Sequence, residues 1–77
     1  MHDTQFDQPV RLRQGEQFEL VKDALQASRL LQRSWPATRG KWYHAATRAC
    51  ARASEGKTMP HVARSVFEKA AQESRLI

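Results

Sequence analysis

The chain has 77 residues, 13 lysines and arginines against 8 acids, a net charge of +5, and a single cysteine. That length makes one domain with a marginal core. One cysteine excludes an internal disulfide and a cysteine-rich zinc site, which leaves regular helix packing or self-association to supply the missing stability. No apolar run approaches the roughly 18 residues of a membrane span, and Met1-His2-Asp3-Thr4-Gln5 is polar and acidic where a signal peptide is basic and then apolar. A soluble, cytoplasmic protein is the expectation.

Residues 1–8 are expected to form a flexible tail, with Phe6 able to tuck in. Residues 9–77 then form a single α+β domain. Pro9 sits where a strand can start, and Val10 and Leu12 alternate with Arg11 and Arg13, a period of two. Gln14-Gly15-Glu16 reads as a turn, and Phe18 and Leu20 alternate with Gln17 and Glu19 beyond it. A two-residue turn at Gln14-Gly15 would mix apolar and polar residues on one face. A three-residue turn over Gln14 to Glu16 pairs Leu12 with Phe18, Val10 with Leu20 and Arg11 with Glu19, which gives one apolar face and an ion pair on the other.

Asp23 can cap a helix, with Gln26 as its capping-box partner. Ala24, Ala27, Leu30, Leu31 and Ser34 follow at helical spacing, and Trp35-Pro36 ends the helix because the residue before proline is driven out of the α region. Ala37-Thr38-Arg39-Gly40 is a loop. A second helix over about Lys41 to Glu55 carries Trp42, Ala45, Ala46, Ala49, Cys50 and Ala53 as its apolar stripe, and Gly56 closes it. Thr58 is expected to cap a third helix with Pro60 in its first turn. Met59, Val62, Ala63, Val66, Phe67, Ala70 and Ala71 are its stripe, while Arg64, Glu68, Lys69 and Gln72 face away. Leu76-Ile77 has the composition of a short terminal strand. The expected fold is therefore a two-stranded antiparallel hairpin followed by three helices (ββααα). Its core draws on Val10, Leu12, Phe18, Leu20, Leu30, Leu31, Trp35, Trp42, Ala46, Cys50, Val62, Val66, Phe67 and Ala70.

These residues form a familiar pattern. Pro9-Val10, then Trp35-Pro36, then Gly40 before Tyr43-x-Ala45-Ala46-x-x-x-Cys50, then Ala63-Arg64-x-x-Phe67-x-x-Ala70-Ala71, resembles the family known as domain of unknown function nine-eight-two from about Pro9 to Arg75. The resemblance implies a small single-domain bacterial protein and carries over no catalytic residue. The family's C-terminal helix often ends in a glycine followed by apolar residues. Ser74-Arg75 stands there in this chain.

Charge is unevenly distributed. Residues 1–23 hold 3 bases against 5 acids, −2, and residues 24–77 hold 10 against 3, +7. Arginines outnumber lysines nine to four. Lys41, His44, Arg48 and Arg52 recur at spacings that align them on one side of the second helix, with Arg39 and Lys57 at its ends. This candidate polyanion-binding row would contact phosphates with counterion release and without reading sequence; the ordinary reading is a solvated helix face. Tyr43, one position off the apolar stripe, is a candidate stacking residue, with packing the commoner role.

Other features point away from chemistry. Cys50 lies on the alanine-rich face, where a thiol is structural rather than reactive. His44 and His61 sit on different helices, His2 is in the tail, and no metal-ligand spacing joins them. No carboxylate pair suits acid–base work, and three glycines do not make a phosphate loop. A helix-turn-helix over the second and third helices fails on the length of the first, on Lys57 in the turn and on Ser65 in the reading face. No enzyme, cofactor or metal is implied. A hairpin leaves two open edges, which a homodimer can seal as a four-stranded sheet. The leading expectation is a non-catalytic, self-associating, regulatory interaction module with an unknown protein partner. The alternative is a weak, sequence-tolerant nucleic-acid binder using Arg39, Lys41, His44, Arg48, Arg52 and Lys57.

Overall fold

A computed structural model describes residues 4–36 and 39–77. The chain runs β1 (Gln5–Gln14), β2 (Gln17–Asp23), α1 (Ala24–Arg33), α2 (Lys41–Ser54) and α3 (Pro60–Glu73). It is the expected ββααα arrangement, with one antiparallel hairpin as its only sheet among the described residues. The expected loop positions Ala37 and Thr38, and Met1 to Asp3, lie outside the described residues.

The hairpin differs from expectation by one residue of register. Gln14 pairs with Gln17, Arg13 with Phe18, Leu12 with Glu19, Arg11 with Leu20 and Val10 with Val21. The turn is thus Gly15-Glu16. Gly15 has φ +60 and Glu16 is not in the left-handed region, the combination of a type II′ turn, which wants glycine at its first central position and matches the twist of the strands. Turn chemistry therefore overrides the three-residue turn, and a one-residue slip exchanges the faces. Val21 goes to the core. Phe18 and Leu20, expected there, stand in solvent, and the Arg11–Glu19 pair does not form because Glu19 is on the other face opposite Leu12.

β1 begins at Gln5 rather than Pro9, and Phe6 is buried. The register shifts between Gln5 and Val10. This irregular stretch contains Pro9, whose missing N–H suits an interrupted ladder. Past it, the Ala24 N–H donates to the Thr4 carbonyl at 2.8 Å.

Asp23 caps α1 by accepting the Gln26 N–H at 2.7 Å. The Gln26 carboxamide does not return to Asp23. It accepts the Lys22 N–H at 3.0 Å and donates to the Leu20 carbonyl at 2.9 Å, occupying the outer edge of β2 as a neighbouring strand would. The β1 edge is also engaged, because the Arg13 N–H donates to the Leu76 carbonyl at 2.6 Å. Leu76-Ile77 contributes this one bond and no strand.

α2 ends on the expected Gly56, at φ +77, with Gly56 N–H to Ala53 C=O at 3.1 Å and Lys57 N–H to Arg52 C=O at 2.8 Å. That is a Schellman motif. α3 ends in the same way, with Arg75 N–H to Gln72 C=O at 3.1 Å and Leu76 N–H to Ala71 C=O at 2.8 Å, but the left-handed residue is Arg75 at φ +60. The turn drops Leu76 onto the core and aims its carbonyl at β1. At the start of α3 the N-cap position is held by Met59 without a side-chain bond, not by Thr58, and Pro60 occupies the first turn as expected.

The hairpin packs on α1 and α3, and α2 packs on both helices from the side away from the sheet. Small residues make this closeness possible: Ala24, Ala27, Ala46, Ala63, Ala70 and Ala71 are all fully buried. Trp35 plugs the centre, 5.5 Å from the Phe67 ring and 6.4 Å from Tyr43, with its indole N–H on the Ser74 hydroxyl at 3.0 Å. Val10, Leu12, Leu31, Ala46, Cys50, Phe67 and Ala70 are core as expected; Leu30, Trp42 and Val66 border it; Val62 is exposed. Ala45, expected in the stripe of α2, is also exposed, and Tyr43 is buried in its place.

Candidate functional site

The basic row exists as a surface. Lys41, His44, Arg48 and Arg52 are all exposed on the outer side of α2, because the helix turns Tyr43, Ala46, Cys50 and Ala53 inward. Arg39 stacks over the Tyr43 ring at 4.7 Å, and Lys57 pairs with Glu55 at 3.5 Å. Both Lys57 and Glu55 are well exposed, so this pair is weak. Among the described residues no ion pair engages Lys41, Arg48 or Arg52. The row offers charge without an aromatic platform. Tyr43 is buried and its hydroxyl donates to the Leu31 carbonyl at 2.7 Å. Trp42 lies under Lys69 and Lys41, at 4.6 and 5.5 Å.

The N-terminus of α2 is served from another helix. Gly40 is its N-cap residue and makes no side-chain bond. A Cβ built on Gly40 would overlap the carboxylate of Glu73, so the absent side chain lets an acid from α3 lie near the positive end of α2, with its Oε1 buried and making no hydrogen bond among the described residues. α3 itself presents few free cations. Arg64 donates to the Gln8 carbonyl at 2.7 Å, lies 3.5 Å from Glu68 and 3.9 Å from Asp7, and Lys69 is engaged on Trp42.

The register slip creates a second surface that sequence reasoning missed. On the outer face of the hairpin Phe18 is 61% exposed and Leu20 46%. Arg13 lies directly opposite Phe18, and Arg11 opposite Leu20. Both guanidinium groups approach the Phe18 ring, at 5.6 Å from Arg11 and 5.4 Å from Arg13. Arg11, Phe18, Leu20, Lys22 and Gln26 bound an open depression. The signal was in the sequence: Gly15 at the first position of a two-residue turn fixes this register.

Chemistry-bearing side chains are kept apart. Cys50 is fully buried, and desolvation pushes its thiol from 9.0 up to about 12, opposite to what a nucleophile needs. His44 packs edge-on to Tyr43 and His61 is exposed on α3. Among the described residues no three of His, Cys, Asp and Glu converge on a metal position. The cavity between the hairpin tip, α1 and Leu76 has about 60 Å³; two larger hollows, on the outer hairpin face and between β1 and the start of α3, are open depressions of about 630 and 530 Å³. No helix among the described residues is long and apolar enough to cross a membrane.

The family model described as "Protein of unknown function (DUF982)" matches residues 8–77. The chain belongs to this family. No curated protein and no solved structure matches it. In this DUF982 protein most of the residues on which the resemblance rests are packing residues, while Pro9 and Ala45 are exposed and Arg64 is ion-paired. Trp35 is the plug, Gly40 admits Glu73, Tyr43 ties α2 to α1, and Cys50, Ala63, Phe67, Ala70 and Ala71 are fully buried.

Proposed function

We propose that this DUF982 protein is a non-catalytic interaction module that engages its partner through the outer face of the β-hairpin. The observation that carries the reading is the exposure of Phe18 and Leu20 on a regular ladder, beside Arg11 and Arg13. Full burial of a side chain of this size is worth roughly 1.5–3 kcal/mol, and with Phe18 61% and Leu20 46% exposed about half of that is left for a partner surface to recover. The supporting geometry is a face, not an edge. Gln26 takes the Lys22 N–H and Leu20 C=O of the β2 edge and Leu76 takes the Arg13 N–H of the β1 edge, so a dimer built by pairing hairpin edges would have to displace these bonds. Self-association through this face is an outcome of the test below and not a premise of this reading.

The second reading, a sequence-tolerant polyanion contact on α2, is favoured by the alignment of Lys41, His44, Arg48 and Arg52 in solvent. Site-specific photo-crosslinking in cells separates the two. A photoreactive aromatic residue is placed at Phe18 in one variant and at Ala45, amid the α2 row, in another. Adducts from the Phe18 position alone support the hairpin face, with the adduct mass showing whether the partner is a second copy. Adducts from the Ala45 position alone support α2, and adducts from neither position refute both.

A further inference from the structure

We infer that the occupant of the hairpin face is single-stranded nucleic acid, with a base stacked on Phe18 and flanking phosphates held by Arg11, Arg13 and Lys22. This rests on the reading of that face as the docking surface. Three observations narrow the occupant. First, of the six aromatic side chains, all within the described residues, Phe18 is the one mostly in solvent; Trp42 is half-buried and the other four are buried. Base stacking needs a free ring, so it can occur here and not on α2.

Second, the charges on this face have one sign. Arg11 and Arg13 lie opposite Leu20 and Phe18, and Lys22 follows on β2; of the four acids of the hairpin, Glu19 is turned to the opposite face, Asp23 caps α1, Asp7 lies 3.9 Å from Arg64, and Glu16 sits in the turn. A second copy docked face to face would bring these cations together, so charge complementarity selects an anionic occupant over self-association. Third, the spacing suits a linear polyanion. Arg11 and Arg13 are alternate residues of one strand, with Cα atoms about 7 Å apart, close to the separation of successive phosphates in an extended single strand. Guanidinium groups take phosphate oxygens through paired N–H donors and also stack on rings, which matches two arginines already lying against Phe18. A duplex keeps its bases inside the stack and cannot place one on a sheet face, so single strands should be preferred.

The test uses fluorescence anisotropy with a labelled short deoxythymidine oligomer, a duplex of equal length, and a labelled acidic peptide alternating glutamate with leucine. Single-strand binding is expected to exceed duplex binding and to fall about tenfold or more in Phe18→Ala. It should weaken with salt on a log–log slope of about −2, as three phosphate contacts require for a single strand. Arg48→Glu/Arg52→Glu, which alters the α2 row and leaves the hairpin intact, should change it less than Phe18→Ala does. Circular dichroism checks that each exposed-residue variant stays folded. Equal binding of duplex and single strand, unchanged in Phe18→Ala and lost in the α2 variant, overturns the inference. Peptide binding that needs Phe18, with no oligomer binding, also overturns it but keeps the hairpin face as the docking surface. Binding of none of the three probes sinks both.

Discussion

Replacing Arg75 by glycine should make the protein more stable, although the substitution removes a side chain and adds no contact. The molecule contains the same helix stop twice. At the end of α2 the left-handed position is Gly56, at φ +77; at the end of α3 it is Arg75, at φ +60. The left-handed region brings Cβ too near the following carbonyl, a cost of roughly 1–2 kcal/mol for an L-residue that glycine escapes. Glycine also gives the unfolded chain more freedom, which returns roughly 0.4–1 kcal/mol. The net gain for Arg75→Gly is about 0.5–1 kcal/mol, or a rise of about 2–8 °C in the midpoint of a domain this small. Thermal and urea unfolding followed by circular dichroism would measure it. Arg75→Ala keeps the backbone cost and should shift the midpoint little, while Gly56→Ala imposes that cost on α2 and should lower it. A fall in stability for Arg75→Gly, or equal shifts for Arg75→Gly and Arg75→Ala, would refute the reasoning.

Gly40→Ala should cost about 0.5–1 kcal/mol by expelling the Glu73 carboxylate from the α2 N-terminus; Glu73→Gln should cost a similar amount, and because both remove one interaction, a double-mutant cycle by urea unfolding should show them clearly non-additive. Cys50 keeps its proton in the folded state up to about pH 12, whereas the unfolded thiol loses it from about 9.0. Over that window the unfolded state binds fewer protons, so stability falls as pH rises. Alkaline unfolding profiles should show this loss in the wild type and lack it in Cys50→Ala. Gln26→Ala should free the β2 edge at a cost of about 0.5–1.5 kcal/mol; amide exchange at Lys22 should quicken, and unaltered protection there would show that Gln26 does not guard the edge.

The helices were legible because each has one wide apolar side and a punctuated end. Asp23, Pro36, Gly56 and Pro60 act locally, so their effect follows from the residue itself. The hairpin was legible as a hairpin and not in register. Phe18 and Leu20 are more hydrophobic than Val21, and pattern alone prefers to bury the larger pair. The turn decides otherwise, since a glycine in a type II′ turn selects its position to the residue. Tyr43 is a packing residue, the commoner of its two readings, but its anchor was not legible. Its ring counts as apolar for packing, while its hydroxyl needs a buried acceptor that only the fold supplies, the Leu31 carbonyl. The α2 row was readable because charge at helical spacing needs no partner to be recognised. The hairpin face was not, because it follows from pairing between strands and from which of two faces the helices cover.

That choice of face bears on function. The small core is filled from elsewhere: Phe6 from an early strand residue, Leu76 from the turn after α3, and Val21 beside the α1 cap. Each arrives through a local device, whether the irregular stretch around Pro9, the left-handed Arg75 or the Asp23 cap, and none requires Phe18. A polar residue at position 18 would also fit the period-two alternation of an exposed strand. Phenylalanine there adds surface that favours association, and Arg11 and Arg13 against its ring keep that surface charged and discourage like faces from meeting. Apolar area held in water under a single sign of charge excludes a second copy of itself more strongly than it excludes an anion. Under the proposed reading, the same three side chains both keep like faces apart and set the kind of partner the face would take.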